Sequence, residues 1–318
     1  MALNEFGGDW TEQKLERLRK YLPAFMRVMS RNPNAQYFHT IYVDAFAGTG
    51  YRSVREKRAG SPALEASFFD EEEPVDEALG APDTARFRDG SATIALDLEP
   101  PFDRHLFIDS KAAHVRDLHK LKLKYINAPR RVDIEHGDAN TKLCTLCRDT
   151  DWKKWRGVVF LDPYGMAVDW STIEALSQAR VDLWLLFPIG QAVNRVLTSQ
   201  APPPPSWERK LDRFFGTHDW AEVFYRSRDE VDRASGQLSI WDLEGDGPAM
   251  PAESTRKVKV ADFASIERFF VQRLEKLFGE MPQPLTLRNS QNVPLYLLCF
   301  ASRNKGPALN IAKDLLKP

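Results

Sequence analysis

The sequence predicts an α/β fold: a seven-stranded, mostly parallel sheet with helices on both faces. Apolar runs alternate with amphipathic helical segments through residues 1–188, as in chains that form parallel sheets. The run Val181–Phe187 is so apolar that both faces of that strand must be covered. After a gap of about a hundred residues, two strands joined by Asn289–Asn292 suit a last strand that runs antiparallel to the others.

The first predicted helix follows Thr11, a candidate cap, and carries its apolar residues at spacings of three and four. That stripe consists of Leu15, Leu18, Leu22, Phe25 and Met29. Five strands are then predicted at His39–Phe46, His105–Asp109, Arg131–His136, Gly157–Asp162 and Val181–Phe187. Helices are predicted from Ser61-Pro62, over Lys111–Tyr125, over much of Asn140–Trp155, and over Ser171–Arg180. The acidic stretch Asp70–Gly90 has no apolar periodicity and is predicted to be a loop.

Residues 189–284 are predicted to form a mainly helical insertion that serves as a substrate or partner region. Pro202–Pro205 is predicted to be a stiff spacer, and Ser235–Glu253 a long loop. Helices are predicted at Trp207–Phe215, Trp220–Arg226 and Phe263–Phe278. The strands Leu285–Arg288 and Pro294–Ala301 and a final helix then complete the main domain, which comprises residues 1–188 and 285–318.

Composition indicates a soluble globular protein, with 43% hydrophobic and 28% charged residues. The formal net charge is −1, so a polyanionic partner would need a local basic face. Three cysteines are too few for a disulfide framework and fit a reducing compartment. No signal peptide is visible, and apolar runs are shorter than the roughly 20 residues of a membrane span. We therefore expect a cytoplasmic protein with no membrane partner.

The strongest motif is Asp44-Ala45-Phe46-Ala47-Gly48-Thr49-Gly50, directly after the first strand. Glycines in such a turn let a ligand approach the backbone closely. A dinucleotide fingerprint would need a third glycine where Ser53 stands, and a P-loop would need Gly-Lys-Ser/Thr. The alternatives are a phosphate-binding loop or an ordinary strand–helix turn.

A second acidic residue, Asp109, ends the next strand. In nucleoside-binding sheets a carboxylate at this place accepts hydrogen bonds from both ribose hydroxyls. Taken alone, Asp109 would more simply lie at the surface or cap a helix. A third, Asp138, follows the next strand in Gly137-Asp138-Ala139-Asn140, where Asp138 or Asn140 could cap the helix that begins there.

The turn at Asp44–Gly50 resembles the first motif of methyltransferases, Asp-x-Phe-x-Gly-x-Gly, and the predicted strand arrangement is the usual Rossmann-like sheet of enzymes that use S-adenosylmethionine (SAM). The resemblance implies that Phe46, Gly48 and Gly50 pack around the methionine part of SAM. It implies that Asp44 helps to hold the amino group of SAM, and that Asp138 and Ala139 lie near its adenine.

The segment Phe160-Leu161-Asp162-Pro163-Tyr164-Gly165 resembles the catalytic motif of amino-methyltransferases, Asp/Asn-Pro-Pro-Tyr/Phe. There the acid or amide accepts a hydrogen bond from the target amino group, and the aromatic ring stacks on an extruded base. One proline is missing here, so Tyr164 stands two residues after Asp162 rather than three. A Pro-Tyr-Gly turn that only closes the strand is the alternative interpretation.

Over the whole chain, these motifs together with Trp10…Lys14, Gly60-Ser61-Pro62 and Pro294-Leu295-Tyr296 resemble the three-Cys-motif partner protein family. The resemblance implies SAM binding and a partner similar to radical-SAM enzymes, to which the three cysteines belong. We therefore expect a SAM-dependent methyltransferase that methylates an amino group of a nucleic-acid base. The alternative is a non-catalytic accessory subunit of the radical-SAM-like neighbour.

Several other residues are weaker candidates. Lys14 could reach the carboxylate of SAM, and Arg52 and Arg55 could contact a substrate phosphate. Cys144 and Cys147 lack a second cysteine pair at zinc-site spacing, so we predict that they pack within a helix and that the protein has no metal. Trp170, Trp207 and Trp220 are expected to pack in the interior or at an interface.

Overall fold

A computed structural model describes residues 9–49, 51–53, 87–126, 130–228, 230–231, 257–304 and 306–317. Seven strands of this part form one sheet: β1 (His39–Asp44), β4 (Arg104–Asp109), β5 (Arg131–His136), β6 (Trp155–Leu161), β7 (Val181–Phe187), β10 (Leu285–Arg288) and β11 (Pro294–Ser302). Two short ribbons pair β2 (Tyr51–Ser53) with β3 (Phe87–Asp89) and β8 (Tyr225–Ser227) with β9 (Lys257–Lys259).

The strands of the large sheet follow the order β10-β11-β7-β6-β1-β4-β5. The five from β7 to β5 pair in parallel, whereas β11 runs antiparallel to both of its neighbours. The predicted fold class is thus confirmed, including the reversed last strand. From β1 the chain builds the sheet first toward β5 and then, from β6, in the other direction. Open α/β sheets bind their ligands at such a switch point, outside the carboxyl ends of the strands.

Helices cover both faces of the sheet. One face packs against α1 (Asp9–Arg31), α2 (Ser91–Leu96), α3 (Ala112–Leu123) and α10 (Pro307–Leu315). The other face packs against α4 (Ala139–Asp149), α5 (Trp170–Gln178), α7 (Pro205–Phe215), α8 (Trp220–Phe224) and α9 (Phe263–Phe278). A π-helical turn, Ile189–Val193, and the short α6 (Asn194–Val196) directly follow β7.

Helix α1 forms as its apolar spacing predicts. All five residues of the stripe are buried, from Leu15 to Met29, because 3.6 residues per turn place them on the side that faces the sheet. Lys14 is also buried, although its charge would favour the solvent side. A buried lysine requires a partner of opposite charge, and the partner of Lys14 is Asp162, at the carboxyl edge of the sheet.

Several elements differ from the prediction. Strand β1 ends at Asp44, so Phe46 belongs to the bend, and Trp155 begins β6 instead of ending a helix. The predicted helix Trp220–Arg226 ends at Phe224, because Tyr225–Ser227 pairs with β9, and β3 lies at the end of the predicted loop Asp70–Gly90. Helix α2 was not predicted, because six residues are too few to establish a period. Helix α7 begins at Pro205, since proline fits the first turn of a helix. The predicted helix at Ser61-Pro62 and the loop Ser235–Glu253 lie outside the described residues.

The segment between β7 and β10 packs directly on the sheet. The Phe270 ring of α9 stacks on Phe187 of β7 with 3.9 Å between centroids, and Phe214 and Phe215 of α7 surround the pair. Trp170 and Trp220 are buried in the same core, and Trp207 packs against it. In the part of the chain that the structure covers, no helix combines the length and apolarity needed to cross a membrane.

Candidate functional site

The glycine bend lies at the switch point, above the carboxyl ends of β4 and β6. The Ala45 amide donates to Phe160 O at 3.4 Å, and the Ala47 amide donates to Ile108 O at 3.1 Å, so both neighbouring strands hold the bend. Gly48 has φ +59°, a left-handed conformation that favours glycine. A Cβ atom at Gly48 would meet no atom of the described residues within 4 Å. The bend is therefore open on its outer side; Gly50 lies outside the described residues.

Asp109 ties this bend to β4. One of its carboxylate oxygens accepts a hydrogen bond from the Gly48 amide at 2.9 Å, and the other from the Lys111 amide at 2.8 Å. The His114 ring nitrogen lies 3.1 Å from the second oxygen. The carboxylate thus fixes the bend, a contact that the sequence did not reveal. Its predicted contact with a ribose stays a prediction.

Asp44 ends β1 completely buried. Its Oδ1 accepts a long hydrogen bond, 3.4 Å, from the Phe46 amide, and its Oδ2 has no hydrogen-bond partner within 3.5 Å among the described residues. The hydroxyls of Ser91 and Tyr42 lie near the carboxylate. Burial, aided by the negative charge of Asp162, raises the pKa of Asp44 to about 7, against the lowering effects of the Ser91 hydroxyl, the Phe46 amide and Lys14. A buried carboxylate with an unpaired oxygen is suited to hold a cationic group.

Asp162 follows β6 and forms an ion pair with Lys14 of α1. Lys14 uses Oδ2 of this carboxylate and lies 5.0 Å from the centre of the Trp10 ring. The Asp162 side chain remains 26% exposed, and none of the described residues donates a hydrogen bond to its Oδ1. The structure thus brings together two residues predicted for separate roles, Lys14 for the cofactor and Asp162 for catalysis.

Tyr164 is 73% exposed beyond Asp162 and Pro163, and the turn ends at Gly165 in a left-handed conformation with φ +58°. Tyr296 of β11 lies beside this turn. Burial, with smaller contributions from the nearby Asp162 and Tyr164, raises the pKa of the Tyr296 hydroxyl to about 12. The Tyr296 ring stacks on Trp10 with 4.7 Å between centroids. Tyr296 and Trp10, which were named from the sequence only as part of the family resemblance and were given no role, therefore form a wall of the site.

The structure places Asp138 as the cap of α4. Its Oδ1 accepts hydrogen bonds from the amide and the hydroxyl of Thr141, both at 2.8 Å, as the capping interpretation predicted. Ala139, the first residue of α4, is buried. Contact of these two residues with adenine stays a prediction. Arg52 lies in β2, where its backbone stands opposite Arg88 of β3 in the ribbon, and Arg55 lies outside the described residues.

The two helical cysteines have packing contacts. Cys147 packs against the core, where burial raises the pKa of its thiol to about 12, and Cys144 lies 3.8 Å from the Thr172 hydroxyl. A thiol with so high a pKa, as at Cys147, is poorly reactive, since the thiolate is the reactive form. Within the described ranges, no group of three or more His, Cys, Asp or Glu side chains could hold a metal ion.

No protein-family model matches this chain, and no curated protein does. Among solved structures, the chain is similar to a Legionella pneumophila protein of family DUF519, at 16% identity over 63% of this chain and 73% of that one, with a TM-score of 0.36. The N-terminal domain of EvdMO1 with SAH bound has 11% identity over 88% and 80%, with a TM-score of 0.35. A conserved hypothetical protein of Streptococcus pyogenes has 14% identity over 52% and 79%, with a TM-score of 0.27. Likenesses this distant carry no argument about function.

Proposed function

We propose that this protein is a SAM-dependent methyltransferase that acts on the amino group of a nucleic-acid base. The single observation that carries the proposal is the position of an open glycine bend beside a partly exposed acid at the end of the next strand. Gly48 leaves the space above the bend free, and Asp162 stands at the end of the adjacent β6. The switch point between β1 and β6 is where a nucleoside cofactor binds in sheets of this order.

In this proposal, Asp44 holds the ammonium group of the cofactor. Its Oδ2 is buried and unpaired within the described part of the chain, so a cation placed there would receive a charge-assisted hydrogen bond. SAM supplies an electrophilic methyl group when it is bound. Phe46 and the glycine bend would pack against its methionine part, and Asp109 holds that bend in position.

Asp162 orients the amino group that accepts the methyl. Lys14 pairs with Oδ2 of this carboxylate alone, which leaves Oδ1 to accept a hydrogen bond from the substrate. Such a bond would direct the nitrogen lone pair toward the methyl group, which is catalysis by positioning. Tyr164, exposed one residue beyond Pro163, offers its ring to the same substrate.

The deciding experiment replaces Asp162 with alanine. We expect Asp162→Ala to lower methyl transfer from radiolabelled SAM to total RNA or genomic DNA by about 100-fold, the usual loss when a positioning contact is removed. SAM affinity, measured by calorimetry, should change little, because Asp44 and the bend remain. Asp133→Ala is the matched control: its ion-paired carboxylate has a similar exposure, 23% against 26%, but lies on β5.

Two results would contradict this role. If Asp162→Ala loses SAM affinity as much as methyl transfer, Asp162 is a structural residue. If Asp133→Ala loses as much methyl transfer as Asp162→Ala, the effect comes from lowered stability. Because Lys14 is left buried without its partner in Asp162→Ala, the thermal midpoint of each variant is measured first.

A second candidate is the non-catalytic accessory subunit of a radical-SAM-like three-Cys-motif protein. The ion pair favours it, since Lys14 already takes one of the two carboxylate oxygens of Asp162, and Tyr164 stands closer to Asp162 in sequence than in the amino-methyltransferase motif. This alternative predicts co-purification with the neighbour and no methylation of RNA or DNA by the isolated chain. Transfer by the isolated chain that depends on Asp162 would exclude it.

A further inference from the structure

An open cleft of about 520 Å³ lies at the amino ends of the strands, the edge opposite Asp162. The turn before β1, the loop between α4 and β6, and the end of α5 border it. We call it the basic cleft and define it by Tyr37, Phe38, Lys153, Arg156 and Arg180. From its position beside Trp155 to Asp162, β6 spans about 20 Å, so the two sites are separate.

The Arg156 guanidinium is held rigidly in this cleft. Its Nη1 donates to the carbonyl oxygens of Trp152 at 3.0 Å and Trp155 at 2.7 Å. The guanidinium carbon lies 3.5 Å from the centre of the Phe38 ring, close enough for a cation–π contact. Its Nε and Nη2 bond no described residue and remain available to a ligand.

A second guanidinium, that of Arg180, lies close to the first. Burial lowers the pKa of Arg156, and the positive charge of Arg180 lowers it further, as expected for two cations in proximity. Within the described residues, no carboxylate lies within 4.0 Å of either guanidinium, and the nearby ion pairs, Arg148 with Asp149 and Lys154 with Asp151, involve other cations. An anion bound between them would relieve this repulsion.

The acid at the rim does not neutralise the cleft. Asp151 accepts a hydrogen bond from the Lys153 amide at 3.1 Å and lies 3.6 Å from the Lys154 ammonium, so its charge is already matched. The Lys153 ammonium has no ion-pair partner among the described residues. In a protein of net charge −1, this concentration of positive charge is a local property of one face.

We propose that the basic cleft binds the phosphate groups of a single-stranded nucleic acid. Two guanidinium groups and an ammonium suit successive phosphates, because Arg recognises phosphate oxygens with paired donors. Tyr37, 68% exposed at the border, supplies the aromatic ring on which an unpaired base stacks. This binding uses neither the cofactor nor Asp162, and so it goes beyond the methyl transfer proposed above.

The test measures fluorescence anisotropy of labelled 20-nucleotide single strands, RNA and DNA, over a range of salt concentrations without SAM. Lys153→Glu/Arg180→Glu changes two exposed side chains and should weaken binding tenfold or more. The slope of log K against log salt should fall by about 1.4, since each phosphate contact to a single strand contributes about 0.7. Lys120→Glu/Lys317→Glu makes the same change in net charge on other faces and should bind like the wild type.

Three further measurements complete the test. Arg156→Lys keeps the charge and should still weaken binding, because the paired donors are lost. Tyr37→Ala should weaken the binding of single strands more than the binding of a duplex of the same sequence. The SAM affinity of Lys153→Glu/Arg180→Glu, measured by calorimetry, should equal that of the wild type. This result would show that the substitutions affect the basic cleft and not the cofactor site.

The proposal is overturned if Lys153→Glu/Arg180→Glu binds as tightly as the wild type, or if the control double variant loses as much. Complete displacement of the oligonucleotide by millimolar AMP or inorganic phosphate would also overturn it. The cleft would then be a site for a small phosphate ligand rather than for a strand.

Discussion

At Asp44 the requirement of folding opposes the requirement of the proposed binding. Folding must bury its carboxyl group, and the raised pKa of about 7 records the cost of burying the charged form beside Asp162. The proposed function nevertheless needs that charge, because a neutral acid holds an ammonium group weakly. The same residue should therefore affect stability and binding in opposite directions.

For stability, the unfolded carboxyl releases its proton near pH 3.8 and the folded one near 7. The folded state is favoured by this group below the first value, and that advantage is lost as pH rises toward the second. We expect the thermal midpoint of Asp44→Asn, relative to that of the wild type, to increase between about pH 4 and 7. Above pH 7 the difference between the two midpoints should stay constant. Calorimetric scans at several pH values measure this, and a difference independent of pH would contradict it.

For binding, the proposed cofactor contact needs ionised Asp44. SAM affinity should rise about tenfold per unit between about pH 5.5 and 6.5, where each unit multiplies the ionised fraction by ten. The charged groups that face Asp44, Asp162 and Lys14, are already paired with each other. Asp44→Asn should bind SAM weakly and without this dependence, and an unchanged profile in the variant would assign the pH effect to another group.

The π-helical turn Ile189–Val193 depends on one glycine. A Cβ atom on Gly190 would lie 1.9 Å from the carbonyl oxygen of Pro294 in β11, and a backbone atom cannot move aside cheaply. We expect Gly190→Ala to cost about 2 kcal/mol in the free energy of unfolding, as overpacking does. Urea denaturation measures it. Gly165→Ala, which meets no described atom but has φ +58°, separates backbone strain from collision.

Elements with several turns or long apolar runs were predicted well. The stripe of α1 and the whole of α9, Phe263–Phe278, follow from their spacing, and β7 follows from its composition. Helix α2, six residues long, and β8, three residues long, have no period of their own. Both exist because a neighbour pairs with them or buries them, and local sequence does not record which neighbour that is.

For the molecule as a whole, the mostly parallel sheet and its reversed last strand were predictable, because connection rules leave few arrangements, whereas long-range polar contacts were not. Lys14 and Asp162 lie 148 positions apart in sequence, and each was assigned a role without the other. The basic cleft was missed for the same reason. Lys153 and Arg156 lie three residues apart around the start of β6, but Arg180 and Tyr37 join them only in the folded chain, so no single stretch of sequence marks the cleft.

The insertion and the sheet share one core, which predicts cooperative unfolding. Phe270→Ala removes the ring that stacks on Phe187 and should lower stability by about 3–5 kcal/mol, the usual cost for a buried phenylalanine. The thermal transition should remain single, because α9 has no separate core to melt alone. Two resolved transitions in differential scanning calorimetry would show that residues 189–284 unfold independently.

Helix α1 reaches two carboxylates, the partly exposed Asp162 and the buried Asp182. Lys14 binds Asp162, and seven residues later the Tyr21 hydroxyl donates to Asp182 at 2.7 Å, where Ser302 also donates at 2.5 Å. Seven residues make nearly two turns, so both side chains leave the helix in almost the same direction. Apolar packing alone would let the helix roll by some degrees with little penalty. Two polar anchors forbid such rotation, so the azimuth of α1 is set by charge and hydrogen bonding rather than by shape.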